Sequence, residues 1–237
     1  MTRDLPKVLT EDQCHFRDVV ARFMADKSHS SQVRKLMATA EGFDMAVWRQ
    51  LCDEVGLAGT HIPEAYGGFG FGPVELGIVA EQMGRYLYAG PFFASAVMAG
   101  YAILLGAAEP FKEALLPEIA DGCTIATLVM DDLNRPENVG KRLVWDGETV
   151  SGTAPLVLDA QNADLLIVIA GSADGLSLLS LNSDSVGVNI IPLETLDSTR
   201  KLASVTFNKV DALKLGVITQ ALLDKIWDHI CVALCHE

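Results

Sequence analysis

The sequence predicts a chain of two unlike parts: an N-terminal α-helical bundle followed by an antiparallel β-barrel or sandwich, with the start of a further helix at the end. Three observations predict it. Up to about residue 120, apolar residues recur at spacings of three and four, the period of a helix with one buried face. From Cys123 the apolar runs become short and are separated by Gly, Asn and Asp, which is strand-and-turn punctuation. From Gly216 the helical period returns. The expected domains are 1–122 (helical), 123–214 (β) and 215–237 (first helix of a C-terminal helical unit).

The elements follow in order. Residues 11–27 carry Cys14, Val19, Val20, Phe23 and Met24 on one side. Asp44 is placed to cap MAVWRQLCDEV, with Gly56 as its stop. Pro73 suits the first position of PVELGIVAEQMGRYLY, because proline lacks only an N–H that the first turn leaves unpaired anyway. A helix from Phe92 follows, then PFKEALLPEIADG, expected to break near Pro117. In the β part, residues 124–130 read as a strand, and residues 142–151 as a hairpin turning at Asp146-Gly147. ADLLIVIA reads as a buried strand, with further strands at 176–181, 186–192 and 202–210. No helical pattern separates these strands, so antiparallel pairing is expected. The last helix is expected to bury Val217, Ala221, Leu222, Ile226, Ile230 and Leu234, a stripe that asks for more protein to pack against.

Composition narrows the function. Acidic residues outnumber basic ones 31 to 18, a formal charge of −13, which argues against nucleic acid as partner. It leaves room for an anionic ligand at a local basic spot. Five cysteines, an odd number with no dense framework, and an N-terminus MTRDLPKV without an apolar signal core predict free thiols in a reducing, cytoplasmic setting. Residues 90–108 are nearly free of polar groups, but Pro91, Gly100 and the lack of flanking Lys/Arg predict a buried core helix rather than a membrane span. Cys231, Cys235 and His236 form one cluster with no distant partner pair, too little for a metal site. The Asp131-Asp132 pair brings too few oxygen ligands for a cation. His61 is expected to hydrogen-bond locally, and His29 to lie in a solvated loop.

The densest punctuation is PEAYGGFG, at 63–70. It has no Gly-Lys-Ser/Thr, and Gly67, Gly68, Gly70 and Gly72 do not form G-x-G-x-x-G after a strand. It reads as a connection between helices, with glycines supplying positive φ.

With these pieces in place, the chain resembles the acyl-CoA dehydrogenase family from about residue 10 to the end. PE-x-YGG-x-G with the following acidic helix ending at Gly84-Arg85 carries the resemblance most specifically, and LLPEIADG before the β part supports it. The resemblance implies an N-terminal helical domain, a middle β domain and a C-terminal four-helix domain. It also implies an oligomer that binds FAD across domains and subunits. It implies oxidation of an acyl-CoA thioester to the 2-enoyl-CoA by a carboxylate base and the flavin, reoxidised by an electron-transferring flavoprotein. The positions matching the family's flavin-facing segments are Thr127, Val129, Met130 and Asp131 after the first β run, and Leu156 and Leu158 in the second.

The sequence departs from the family pattern at three places. The family's base is a Glu of the C-terminal helical domain, and no residue here inherits it. Met130 stands where a Thr is expected, Asp131 where a Glu is, and the following Gly-Ser is missing; a thioether donates no hydrogen bond. Leu156-Val-Leu-Asp159 replaces a Trp-Ile-Thr-Asn segment. LDSTRKLASVTF and VLDAQNADLLIV resemble the branch that forms two-gene heterotetramers on steroid side-chain CoA thioesters. That branch implies a second acyl-CoA dehydrogenase chain as partner. Thr199-Arg200-Lys201 suits either a contact to a CoA or FAD phosphate or a surface turn.

Overall fold

A computed structural model describes residues 9–133 and 136–237. The segment MTRDLPKV, read as lacking a signal core, and Asn134-Arg135 of the loop after the first strand lie outside them. Helices α1 (Glu11–Lys27), α2 (Ser30–Met37), α3 (Met45–Asp53) and α4 (Pro73–Arg85) build the first part. Thr10 and Gln13 cap α1 reciprocally, at 3.2 and 2.9 Å. Asp44 Oδ1 caps α3 by accepting from the Ala46 amide at 2.8 Å, as its position predicted. A π-helical turn, Phe93–Ala99, leads into α5 (Gly100–Gly106), so the apolar run at 90–108 is two short pieces rather than one span. Residues 93–103 are buried throughout. Among the described residues no helix is long and apolar enough to cross a membrane.

Helix α6 (Glu109–Ala120) runs through Pro117 without breaking, contrary to the expected stop. Its buried side chains Leu116 and Ile119 flank the proline and anchor the last turn in the core, which outweighs one missing backbone bond.

The strands are β1 (Ala126–Val129), β2 (Leu143–Trp145), β3 (Thr149–Leu158), β4 (Leu165–Ser172), β5 (Gly175–Asn182), β6 (Val188–Pro192), β7 (Leu202–Asp211) and β8 (Leu213–Ile218). They form one sheet in the order β6-β7-β3-β2-β4-β5-β8, with β1 paired to β4. Most pairs are antiparallel, and β2 and β3 turn at Asp146-Gly147 as the sequence predicted. The pairing of β1 with β4 is parallel, as is a single Val144–Gly171 bridge between β2 and β4. A parallel pair needs a long crossover, and here the β2–β3 hairpin supplies it in place of a helix.

Alternation along β1 and β4 divides the interior into two cores. Ala126, Leu128, Leu165, Ile167 and Ile169 join the helical core. Val129, Leu166, Val168 and Ala170 face the other way, into a second core with Val150, Val205 and Phe207. Burial on both faces explains why ADLLIVIA is a continuous apolar run.

The final helix begins later than the period suggested. Gly216 and Val217 belong to β8, where a Cβ on Gly216 would lie 2.1 Å from the Gly106 carbonyl oxygen. Thr219 caps α7 (Gln220–His236), whose buried face is Leu223, Ile226, Ile230 and Ala233. Val217 and Leu234, assigned to that stripe from sequence, are exposed. The stripe is set by the phase of the true start, so an early start shifted it. Helix α7 lies along α4, where Gly77 makes room for the His236 ring.

The glycine loop answers the phosphate question. The amides of Phe69, Gly70 and Phe71 donate to the carbonyls of Gly59, Ile62 and Thr60 at 2.9, 2.8 and 3.0 Å. Those of Tyr66, Gly67 and Gly68 bond within the turn, and that of Gly72 bonds Glu75 Oε2. Every amide from 66 to 72 is therefore occupied, and none is free to hold an anion. Gly67 and Gly70 supply positive φ, and Gly68 allows backbone to lie on backbone.

Two predictions follow from this packing. A Cβ at Gly68 would sit 2.0 Å from the Ile62 carbonyl oxygen, whereas at Gly72 it meets only Glu75 Oε2 at 3.3 Å. Gly68→Ala is expected to cost about 3 kcal/mol or more and Gly72→Ala about 1 kcal/mol, read by urea unfolding. The second concerns His61, which is buried with both ring nitrogens unpaired among the described residues, so the expected local hydrogen bond is absent. It packs instead against Tyr101 in a tilted arrangement, at 4.3 Å between centroids. Burial, and secondarily His229, lower its pKa from 6.5 to about 4. The unfolded chain therefore binds this proton more readily, and the His61 contribution is complete above pH 6.5 and lost as pH falls toward 4. The loss should reach roughly 3 kcal/mol, and His61→Phe should flatten the slope of stability between those pH values.

Candidate functional site

The end of β1 and the kink in β3 enclose a cleft of about 340 Å³, lined by Met130, Asp131, Asp132, Leu133, Asn138, Arg142, Pro155 and Leu156. A register shift between Ala154 and Val157 swings Pro155 and Leu156 out of the β3–β7 ladder and toward solvent. Of the six positions singled out from sequence, Met130, Asp131 and Leu156 meet here. The other three do not. Val129 points into the second core. Leu158 packs against the helical core. Thr127 is buried and its hydroxyl donates to the Leu158 carbonyl at 2.6 Å, tying β1 to the end of β3.

Asp131 is buried, and its carboxylate accepts from the amides of Gly140, Arg142 and Leu143, the first at 2.9 Å and the last at 3.1 Å. It is a clamp that holds residues 140–143 against the end of β1. Asp132 accepts from Asn138 Nδ2 at 3.3 Å, on the same loop. The oxygens of this pair are thus turned to the chain rather than to a cation, and among the described residues no group of three or more His, Cys, Asp or Glu is arranged to hold a metal. Met130 is buried, so it forms a wall of the cleft and presents no donor.

Asn138 and Arg142 were not singled out from sequence. Nothing local marks them: they reach the cleft only because the Asp131 clamp folds residues 138–143 back over the end of β1.

The Thr199-Arg200-Lys201 cluster lies at a half-buried turn ahead of β7, and its two cations are committed within the chain. Arg200 is partly buried, forms an ion pair with Glu237 and lies 6.0 Å from the Phe93 ring centre. Burial lowers its pKa, against the pull of Asp159 and Asp197. Burial pushes the Asp159 carboxyl up to about 7, with Arg200 opposing. Lys201 Nζ donates to the Met37 carbonyl at 3.1 Å, while Gln161 and Asn162 donate to the carbonyls of Ala40 and Glu41. The basic residues join the sheet to the helices.

Removing the clamp tests its role. Asp131→Ala leaves three amides without an acceptor, one buried and two part-buried, and is expected to cost about 3 kcal/mol in urea unfolding. Asp131→Asn keeps one acceptor oxygen and should cost less; a loss within about 0.5 kcal/mol for Ala would show the clamp to be idle.

Residues 10–123 match the family model described as "Acyl-CoA dehydrogenase, N-terminal domain". The chain is 30% identical over 203 residues to acyl-CoA dehydrogenase IpdE2 of Mycobacterium tuberculosis, covering 86% of this chain and 54% of that protein. It thus spans about half the length of the curated relatives it matches. Among solved structures, a variant of the Tcur3481-Tcur3483 steroid ACAD superposes with a TM-score of 0.81 at 25% identity, over 95% of this chain and 62% of that one. The ChsE4-ChsE5 complex from Mycobacterium tuberculosis superposes at 0.79 and 21%, over 92% and 60%. Helical region, mostly antiparallel sheet and closing helix agree with these folds, and the chain belongs to the acyl-CoA dehydrogenase family, whose N-terminal and middle domains it carries.

Proposed function

We propose that this chain is one subunit of a heteromeric acyl-CoA dehydrogenase and that a second family chain supplies the flavin contacts. The assembled enzyme would desaturate an acyl-CoA thioester to the 2-enoyl-CoA and pass electrons to an electron-transferring flavoprotein. The observation that carries this reading is the Asp131 clamp.

Members of the family bind FAD. A flavin ring asks for hydrogen-bond donors along its polar edge and a flat apolar or aromatic face. The residues at the flavin-facing positions do not fit that demand. Thr127 gives its hydroxyl hydrogen to Leu158, Asp131 is held by three amides, and Met130 is a buried thioether. Leu156 offers an aliphatic surface and no ring. What the cleft does offer is shape and two exposed or half-exposed polar side chains, Asn138 and Arg142. That composition suits the edge of a site completed from elsewhere. The likeness to the Tcur3481-Tcur3483 steroid ACAD supports a bulky, steroid-derived acyl group as the substrate class.

The test is purification of the chain alone and together with a flavin-competent acyl-CoA dehydrogenase chain. Alone, it should be colourless. The co-purified complex should show flavin absorbance at a stoichiometry below one per chain and should reduce a dye when acyl-CoA is added. A chain that purifies yellow by itself, with one flavin each, overturns the proposal and makes this chain a flavoprotein in its own right.

A further inference from the structure

A second cleft, of about 320 Å³, lies in the helical part between α2 and the end of α4 and shares no residue with the first. Val33 and Met37 form its floor, and Ser28 Oγ donates to the Tyr86 carbonyl at 3.1 Å, holding the two walls together. Arg34 and Arg85 stand at its rim. Neither guanidinium has an ion-pair or hydrogen-bond partner among the described residues. By contrast, Arg17, Arg49 and Arg200 each engage a side chain. In a chain of formal charge −13, two uncommitted arginines on one small cleft are unexpected.

Their positions in the last turns of α2 and α4 favour the helix dipoles, but that effect requires no convergence on a common hollow. Leu87 adds a separate observation. It holds a positive φ of 50° and is 60% exposed at the cleft's edge. An L-residue with a branched side chain pays about 1 kcal/mol or more for that backbone, and Gly or Asn would make the turn more cheaply. The turn itself does not favour leucine, and the side chain adds apolar surface to the cleft's edge.

We infer that this cleft binds a small amphipathic carboxylate, an aliphatic acid of medium chain length. Its chain would lie on Val33, Met37 and Leu87, and its head group would reach Arg34 and Arg85. The volume lies at the lower end of the range for small-ligand pockets, about 300–1,000 Å³. A neutral apolar molecule makes no use of the arginines, and inorganic phosphate makes none of the apolar floor. Guanidinium pairs carboxylate through two parallel hydrogen bonds, which gives the head group a defined seat.

The experiment is a methyl NMR titration of the whole chain with octanoate, octanol and inorganic phosphate, run separately. Octanoate should shift the methyl signals of Val33, Met37 and Leu87, and octanol should bind about tenfold more weakly or worse. Arg34→Gln with Arg85→Gln should remove that difference while leaving the melting temperature near wild type. Equal binding of octanol and octanoate overturns the proposal. So does phosphate shifting the same methyl groups as strongly as octanoate, which would make this a simple anion site. Octanoate shifts confined to methyl groups outside this cleft overturn it as well.

Discussion

The fold depends on one wall being buried on both sides. Strand β4, with β1 beside it, gives Leu165, Ile167 and Ile169 to the helices and Leu166, Val168 and Ala170 to the sheet interior. Neither core closes without it. The helices lie on this wall and on Leu178, Leu215 and Ile218 of the neighbouring strands β5 and β8. A charge placed at either parity of β4 would be buried without a partner, so the strand tolerates no polar face. The candidate site inherits its position from this wall, because Met130 and Asp131 are the first residues past the end of β1.

Polar groups at the margins then fix details that apolar burial leaves open. Asp131 gathers three amides of the loop ahead of β2, and Thr127 bonds a carbonyl of β3. Each uses a group that the family resemblance assigns to cofactor contact. A carboxylate held by three backbone amides gains more from staying than from turning to a ligand. The site's chemistry and the loop's stability therefore draw on the same side chains in this chain.

Much of the fold was legible in the sequence, and the reasons are physical. Asp44, Pro73 and Asp146-Gly147 act through atoms a few residues away, so local spacing reports them faithfully. The continuous run ADLLIVIA announced two-sided burial. What failed was set at long range. Pro117 stays inside a helix because Leu116 and Ile119 are anchored in a core assembled from distant segments. Gly216 is a strand residue because it abuts Gly106, and no window of neighbouring sequence records that contact. His61 lies unpaired beneath Tyr101, and the Arg200–Glu237 pair joins the sheet to α7. For the site, three of the residues read from sequence, Met130, Asp131 and Leu156, line one cleft. The direction of a side chain, as at Val129 and Thr127, depends on strand parity and partners that local sequence does not record.

The junction between sheet and helices has a further property. Lys201, Gln161 and Asn162 all donate to backbone carbonyls, those of Met37, Ala40 and Glu41. The segment after α2 is therefore recognised by its path and not by its side chains. Ala40 and Glu41 are exposed, so their identities are free to drift among related chains while the docking persists. Insertions and deletions are another matter, because a single residue gained or lost would move every carbonyl out of phase with its donor. Among relatives of this chain, positions 40 and 41 should read as variable in composition and the segment as fixed in length.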